Sequence, residues 1–592
     1  MKKVIRREHV SDEHLPDSLP SIIKQIYARR GVESAQELEL KVTNLQGLSV
    51  DKKEEQALKG LDDACTLLHQ ALLEQSNIVI VGDFDADGAT STALMMEALA
   101  SMGSKNHTFL VPNRFEYGYG LTPEIVDIAA SQGAQVLITV DNGISCVAGV
   151  MRAKELGLQV IVTDHHLPGH ELPKADAIVN PNQPNCPFKS KSLAGVGVAF
   201  YVMLALRSYL RDKEYFVNHN INEPNIAQLL DLVALGTVAD VVSLDSNNRI
   251  LVEQGLKRIR AGQTRPGIQA LIEVANKNQQ QLVASDFGFA LGPRINAAGR
   301  LDDMAYGINC LLAPDLASAR VMARDLDDLN KARREIEQGM QLEAEQIFKS
   351  LNFNEAHFDE NKLPSAIALY QQDWHQGVIG IVAGRLKEKF HRPCIVFAKG
   401  NEDESLAPEL QEIKGSARSI TGLHIRDLLE HIDSQHPSLI IKFGGHAMAA
   451  GLSIKQHNFD QFEQIFNEQA NKWLKAEDLQ SVILSDGELA ANQLTLAFAE
   501  QLRDAGPWGQ NFPEPLFDDF FILVQQRIVG EKHLKLVVEK QGKVFDGIAF
   551  NVDLKTWPNS QAKQVHLAYR LDINEFRGKR TVQLMVENIT AA

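Results

Sequence analysis

From about residue 77 the chain alternates short apolar runs with longer stretches of helical period: NIVIV, a helical stretch after Gly88, HTFLV, another near 122–131, QVLITV, another near 145–156, then LQVIVT. Apolar runs without polar alternation read as strands buried on both faces, and the stretches between them as covering helices. The pattern predicts a parallel α/β sheet layered by helices on both faces. Further on, DLASARVMARDLDDLNKARREIEQGMQLEAEQIFKSL lacks Pro, has Gly339 as its one glycine and keeps a helical period with mixed charge. A long helix joining two lobes is expected there. A second, smaller α/β unit follows, from SAIALY through GVIGIVAGRLKEKF and CIVFA to FGGHAMAAGLSI. Beyond about residue 476 the runs FFILVQQRIV, LKLVVEK, KVFDGIAF, QVHLAYRLDI and TVQLMVENI predict a small β-barrel. The expected domains are an N-terminal segment 1–50, an α/β domain 51–310, a connecting helix 311–355, a second α/β domain 356–473 and a barrel 474–592.

Composition narrows the class without changing this outline. With 592 residues, 44% hydrophobic and 23% charged, the chain is an ordinary globular one, too long for a single core. No run approaches a membrane span, and the start, MKKVIRREHVSDEHLPDS, turns polar before a secretory core could form. A cytoplasmic protein without membrane attachment is expected. Five scattered cysteines without CxxC spacing indicate neither a disulfide framework nor a zinc knuckle. A net charge of −16 argues against indiscriminate coating of nucleic acid, so a polynucleotide site has to be locally basic. Candidate patches are Arg249, Lys257, Arg258, Arg260 and Arg265; Arg294 and Arg300; Lys414 and Arg418; and Lys532, Lys535, Arg577, Lys579 and Arg580. Each cluster alone also fits a solvated face.

The candidate chemistry lies at strand ends. Asp83, Asp85 and Asp87 follow VIVG, Asp141 ends VLITV, and Asp164, His165 and His166 end VIVT. In an open parallel sheet, ligands sit outside the carboxyl ends of the strands, near a switch in strand order. Carboxylates this dense repel one another unless divalent cations neutralise them. Carboxylates with imidazole suit Mg²⁺ or Mn²⁺. Two such ions roughly 4 Å apart can bridge a phosphate, activate water and stabilise the leaving oxygen. DxDxD alone equally fits an acidic loop. A calcium loop fits less well, because its later Gly and Glu positions are missing. Gly88 falls where the backbone must turn into a helix whose N-terminus can face an anion.

VGDFDADGATST, VDNG, TDHH and LGTVADVV, in this order and spacing, resemble the four motifs of the DHH phosphoesterases, a highly specific set. Where that family usually opens its first motif with His, this chain has Asp83, as do the family's exonucleases specific for single-stranded DNA. The resemblance continues through NRFEYGYG and GPRINAAGR. HQGVIGIVAGRL, KGSARS and FGGHAMAAG then resemble the DHHA1 substrate domain, and GPWGQNFPEPLF leads into an OB-fold of the exonuclease type.

The resemblance implies a 5′ to 3′ exonuclease releasing mononucleotides from single-stranded DNA, in repair and recombination. It implies two divalent cations, Mn²⁺ or Mg²⁺, held by Asp83, Asp85, Asp87, Asp141, His165 and Asp240. His166 would contact the scissile phosphate, and Asp164 would orient a histidine. His446 can donate to a non-bridging oxygen, beside Gly444 and Gly445, which let backbone approach a phosphate or simply form a tight turn. Arg114, Arg294, Ser416 and Arg418 look like phosphate or 5′-end contacts, and Tyr119 and Phe115 like stacking or gating residues. Single-strand-binding protein and a helicase are implied as partners, and a monomer is expected. Two alternatives stand beside this reading. One is a DHH phosphodiesterase of short oligonucleotides or cyclic dinucleotides, which the long C-terminal extension disfavours. The other is a non-catalytic replication scaffold, which the intact set of ligands disfavours.

Overall fold

The apolar runs form the expected layers. In the computed structural model, which describes residues 2–47, 57–112, 120–350, 363–400, 407, 410–576 and 578–592, a short strand β1 (Lys3–Arg6) and helix α1 (Ser21–Ala28) precede a parallel five-stranded sheet. Its strands are β2 (Ile78–Gly82), β3 (His107–Leu110), β4 (Val136–Val140), β5 (Gln159–Thr163) and β6 (Ala177–Val179). The order is β3-β2-β4-β5-β6, all parallel. β2 and β4 are buried along their whole length, as strands covered on both faces must be. Because the chain leaves β2 towards β3 and then returns to add β4 on the other side, the order switches between β2 and β4. Asp83 and Asp141 are the first residues beyond those two strands. Crossovers out of that point diverge and leave a crevice between them.

The helices that frame the crevice are α2 (Ala86–Ser101), α3 (Gly195–Asp212), α4 (Leu230–Ala239), α5 (Ser246–Arg260) and α6 (Gly292–Leu301). A 35-residue helix, α7 (Leu316–Ser350), follows.

The chain divides into two compact units, one of residues 4–327 with 484–592 and the other of residues 1–3 with 328–483. In the second, β7 (Ile367–Tyr370), helix α8 (Ile379–Phe390), β8 (Cys394–Lys399), β9 (Glu412–Arg418), β10 (Lys442–Gly445) and β11 (Ala449–Lys455) build a mixed sheet of order β10-β11-β9-β8-β7. Its two faces carry separate apolar cores, one around Phe397, Phe462 and Phe466, the other around Val382, Leu386 and Val396.

After a short strand β12 (Val482–Ser485), the C-terminal strands β13 (Phe517–Val529), β14 (His533–Lys540), β15 (Lys543–Ala549), β16 (Gln564–Phe576) and β17 (Lys579–Ala591) close into a barrel. Closure runs through a parallel β15–β17 pairing, which leaves no open edge to template aggregation. From residue 4 onward the N-terminal segment belongs to the same unit as this barrel. Arg30 and Asp486, each 1% exposed at the side chain, pair at 2.9 Å, and Arg6 grips the Asp518 carboxylate. Removing one partner of so buried a pair costs about 3–5 kcal/mol, because it strands the other charge.

Candidate metal centre

Each acidic residue of the crevice is placed by the end of an element. Asp85 is the N-cap of α2: its Oδ1 accepts from the amides of Asp87 (2.9 Å) and Gly88 (3.0 Å), which would otherwise lack partners in the first helical turn. Gly88 is required by close approach rather than by a left-handed backbone, since a Cβ there would lie 2.5 Å from the carbonyl oxygen of Asp83. Asp141 leaves β4 at φ +61°, a conformation aspartate tolerates better than most residues. Its neighbour Asn142 donates to the carbonyls of Val81 (3.1 Å) and Val140 (2.9 Å), tying the ends of β2 and β4 together. Asp240 caps the C-terminus of α4.

These side chains converge. Ligand atoms of Asp83, Asp85 and Asp141 lie within 4.8 Å of one another, as do those of Asp87, His165 and Asp240, and those of Asp141, His165 and His166. His165 Nε2 stands 3.0 Å from Asp141 Oδ1, 3.5 Å from Asp240 Oδ2 and 4.0 Å from Asp87 Oδ2. Asp141 therefore belongs to one acidic triad and touches the other. Two adjacent pockets of carboxylates and an imidazole, in contact through Asp141 and His165, are a donor set that suits a pair of Mg²⁺ or Mn²⁺ ions.

Electrostatics say the same. Burial, then the charges of Asp87, Asp85, Asp240 and Asp83, push Asp141 well above the usual carboxylate range. Burial and the charges of Asp87, Asp85, Asp83 and Asp164 do likewise for Asp240. Asp87 is pushed up to about 7 by burial and by Asp85. Cations would relieve this strain. Asp164 behaves differently: burial pushes it up, but the hydrogen bond from His166 and the neighbouring imidazoles outweigh that and hold its carboxyl below the usual range. Its Oδ1 accepts from His166 Nδ1 (2.8 Å) and from the amides of His165 (2.7 Å) and His166 (3.1 Å), and its Oδ2 from the Ile144 amide (2.9 Å). Burial lowers His166, yet the Asp164 contact overcomes it and raises the imidazole to about 9.

Several supports escape sequence reasoning. Both oxygens of Asp87 accept from the first amides of α3, Gly195 (2.6 Å) and Val196 (2.9 Å), so a helix N-terminus faces this carboxylate. A Cβ on Gly195 would sit 2.6 Å from Asp141 Cβ, and one on Gly236 would sit 2.2 Å from Thr90 Oγ1. GPRINAAGR braces the DFDAD loop: Asn296 Oδ1 accepts from the Ala86 amide at 2.7 Å, and a Cβ on Gly299 would meet the Phe84 carbonyl oxygen at 2.0 Å.

Other expected residues fall elsewhere. Arg294 is buried, with Nε and Nη2 on Asp327 (2.9 and 2.8 Å) and Nη1 on the Ala290 carbonyl (2.6 Å), so its donors already serve the fold. Arg265 and Arg249, read above as parts of a basic patch, are buried as well: Arg265 bridges Asp231 and Glu97, and Arg249 lies over the Phe512 ring at 4.3 Å and pairs with Glu37. They hold helices together instead of forming a solvated cationic face. Arg114, Phe115, Tyr119 and Arg577 lie outside the described residues.

In the second unit Ser416 and Arg418 share β9, and Arg418 Nη1 donates to Ser416 Oγ (3.1 Å) and the Ala417 carbonyl (2.8 Å). No carboxylate pairs with Arg418 among the described residues, and burial lowers its guanidinium. Both side chains lie at the N-terminus of α8, where a Cβ on Gly380 would be 2.9 Å from Arg418 Nη2 and from Ser416 Oγ. His446 follows β10, and its amide donates to the Ala449 carbonyl at 2.8 Å. Gly445 makes that turn at φ +141°, with no room for a side chain, whereas Gly444 faces open space.

Three family profiles match in the same order: the DHH family N-terminal domain over residues 77–237, the DHHA1 domain over 363–472 and the RecJ OB domain over 485–588. The single-stranded-DNA-specific exonuclease RecJ of Dickeya dadantii is 56% identical over 99% of this chain and 98% of its own length. The crystal structure of Thermus thermophilus RecJ in complex with Mn²⁺ superposes with a TM-score of 0.76 at 28% identity, covering 96% of this chain and 76% of that one. Its complex with Mg²⁺ gives 0.70 at 26% identity, covering 96% and 74%. With all three domains matched and a relative this similar along nearly its whole length, the chain belongs to the RecJ branch of the DHH family.

Proposed function

We propose that this chain is a divalent-metal-dependent exonuclease that degrades single-stranded DNA from the 5′ end to mononucleotides. The observation that carries the reading is Asp141, which completes one triad of ligands and lies 3.0 Å from His165 of the other, at the switch point of the parallel sheet. Asp83, Asp85 and Asp141 would hold one cation, Mn²⁺ or Mg²⁺, and Asp87, His165 and Asp240 the other. Bound there, the pair supplies an activated water and neutralises charge on the phosphate.

The chain's own groups do the rest. Asp164 fixes His166 through Nδ1, which leaves Nε2 for the scissile phosphate, and the raised imidazole favours its proton-donating form. The amides of Gly195 and Val196 keep Asp87 anionic and oriented. Arg418, Ser416 and the first amides of α8 suit a terminal phosphate, since a guanidinium and a helix N-terminus both favour an anion. His446 would donate to a non-bridging oxygen, with Gly444 leaving the backbone approachable. Arg114 would add a phosphate contact and Tyr119 a gate that excludes duplex. Arg294 would reach phosphate by exchanging Asp327 for it.

The barrel favours a polymeric substrate over a short or cyclic one, because OB-folds bind single strands along a groove. Among the described residues no helix is long and apolar enough to cross a membrane. We place the activity in the cytoplasm, in repair and recombination, as a monomer working beside single-strand-binding protein and a helicase; the family resemblance supports that placement. Digesting strands labelled at either end, with a blocked 5′ terminus as control, tests the reading. Mononucleotides should leave from the 5′ end. Release from the 3′ end, or efficient cutting of circular single strands, would overturn it.

A further inference from the structure

The turn that follows Asp240 is held only at its start by its own helix. The Asp240 amide donates to the Gly236 carbonyl at 2.9 Å and the Val241 amide to the Val238 carbonyl at 3.2 Å, the last bonds the chain makes to α4 as it leaves the helix. The next residue, Val241, adopts φ +61°, a left-handed conformation that crowds a β-branched side chain. Val241 is 62% exposed, so packing of its own side chain does not stabilise that conformation. A strained residue persists where its surroundings over-determine it.

Beyond Val241, at Ser243 and Leu244, the support comes from a segment some 270 residues away in sequence. The carbonyl of Gln510 accepts from the Leu244 amide at 2.9 Å, and Asn511 Nδ2 donates to Ser243 Oγ at 2.9 Å. Gly509 packs so closely that a Cβ would lie 2.7 Å from Leu244 Cδ1. From the other side Asn248 Nδ2 donates to the Ser243 carbonyl at 2.8 Å.

The segment is itself rigidly seated. Trp508 and Phe512 stack 5.2 Å apart with planes 15° from parallel, Tyr27 stacks on both, Arg30 covers Trp508 and Arg249 covers Phe512. Gly509 and Phe512 exchange backbone hydrogen bonds of 2.9 and 3.1 Å, and Trp508 Nε1 donates to the Leu502 carbonyl at 2.9 Å. This is the GPWGQNFPEP stretch that leads into the barrel.

We infer that the 506–512 segment is part of the metal centre: it fixes the Val241–Leu244 turn and so positions Asp240, with Asn511 and Ser243 as positioning residues. The barrel's lead-in, on this reading, sets how firmly a cation is held, in addition to tethering a DNA-binding domain. The inference rests on Asp240 serving a cation site, as proposed above.

The test uses the full chain, titrated with Mn²⁺ and followed by loss of the free-ion electron paramagnetic resonance signal, together with kcat and KM on a 5′-phosphorylated dinucleotide too short to reach the barrel. Asn511→Ala and Ser243→Ala should each weaken Mn²⁺ binding about 3–10-fold and lower kcat with KM little changed, in keeping with the size of effects from groups that orient ligands. The double variant should be no worse than either single one, because both remove the same contact. Ser243→Thr, which keeps Oγ, should restore binding, and excess Mn²⁺ should restore kcat. Wild-type Mn²⁺ affinity and kcat in both single variants, with only a lower melting temperature, would overturn the inference, as would additive losses in the double variant. A wild-type chain that binds no Mn²⁺ would instead overturn the cation site itself, and this inference with it.

Discussion

Asp164 Oδ1 lies 2.8 Å from His166 Nδ1, and the same oxygen accepts the backbone amides of His165 and His166. One carboxylate oxygen thus sets both the backbone and the ring of the DHH motif, and its partner oxygen anchors Ile144.

Asp164→Asn should therefore leave Mn²⁺ binding largely intact while lowering kcat about 10- to 100-fold, the usual cost of losing a group that orients a histidine. It should also lower the apparent pKa of the acidic group in the rate profile, because the carboxylate that raises His166 is gone. Single-turnover rates between pH 6 and 10 check this.

Asp141→Ala should abolish turnover, since it removes a ligand of one triad and the carboxylate that touches His165 of the other. Metal-free protein should not be destabilised by it above neutral pH, where a carboxylate pushed up by burial and four like charges is a liability. Calorimetric melting of the metal-free variant beside wild type, with turnover at saturating Mn²⁺, separates the two effects.

Stability should respond to pH in a sense opposite to that of an ion-paired carboxylate. Asp87 titrates near 3.8 when unfolded and near 7 in the metal-free fold, so the folded state binds the extra proton and stability falls as pH rises through that window. Asp141 and Asp240 shift in the same direction. Mn²⁺ should thus raise the melting temperature more at pH 8 than at pH 5.5. At 100 times its dissociation constant it stabilises by about 2.7 kcal/mol. Equal shifts at both pH values would contradict the buried-carboxylate account.

Arg418→Ala should slow cleavage and blunt any preference for a 5′-phosphate over a 5′-hydroxyl. Gly380→Ala should act in the same direction without removing a charge, because its methyl group would crowd Arg418 Nη2 and Ser416 Oγ at 2.9 Å. Parallel digestion of strands bearing either terminus reads both variants.

The layers and the acidic residues were legible because their signal is local. An apolar run ending in Asp marks the C-terminal end of a parallel strand, and Asp83, Asp141 and Asp164 each stand one residue beyond such a run. Amides carry no such signal. Gly195 and Val196 donate to Asp87 through backbone, from 108 and 109 residues away, and nothing in GVG announces it. Arginines misled for a related reason: composition places Arg249, Arg265 and Arg294 in basic clusters, while tertiary pairing with Glu37, Asp231 and Asp327 buries them. Gly88 marks, as expected, the turn of the backbone into a helix, and what requires glycine there is close packing on Asp83.

The division of the chain into units makes residues 328–483 an insertion in sequence, with residues 4–327 before it and the barrel after it belonging to one unit. During synthesis Arg30 emerges long before Asp486, and Leu244 long before Gln510. At translation speeds of about 5–20 residues per second the first gap is roughly 20 to 90 seconds and the second roughly 13 to 53 seconds. The inserted unit is synthesised before the other unit is complete, and the Asp240 turn acquires its contacts to residues 509–511 only when the barrel's lead-in has left the ribosome. A nascent chain that stops short of residue 509 therefore carries every acidic motif of the crevice but lacks the Leu244–Gln510 and Ser243–Asn511 bonds behind Asp240.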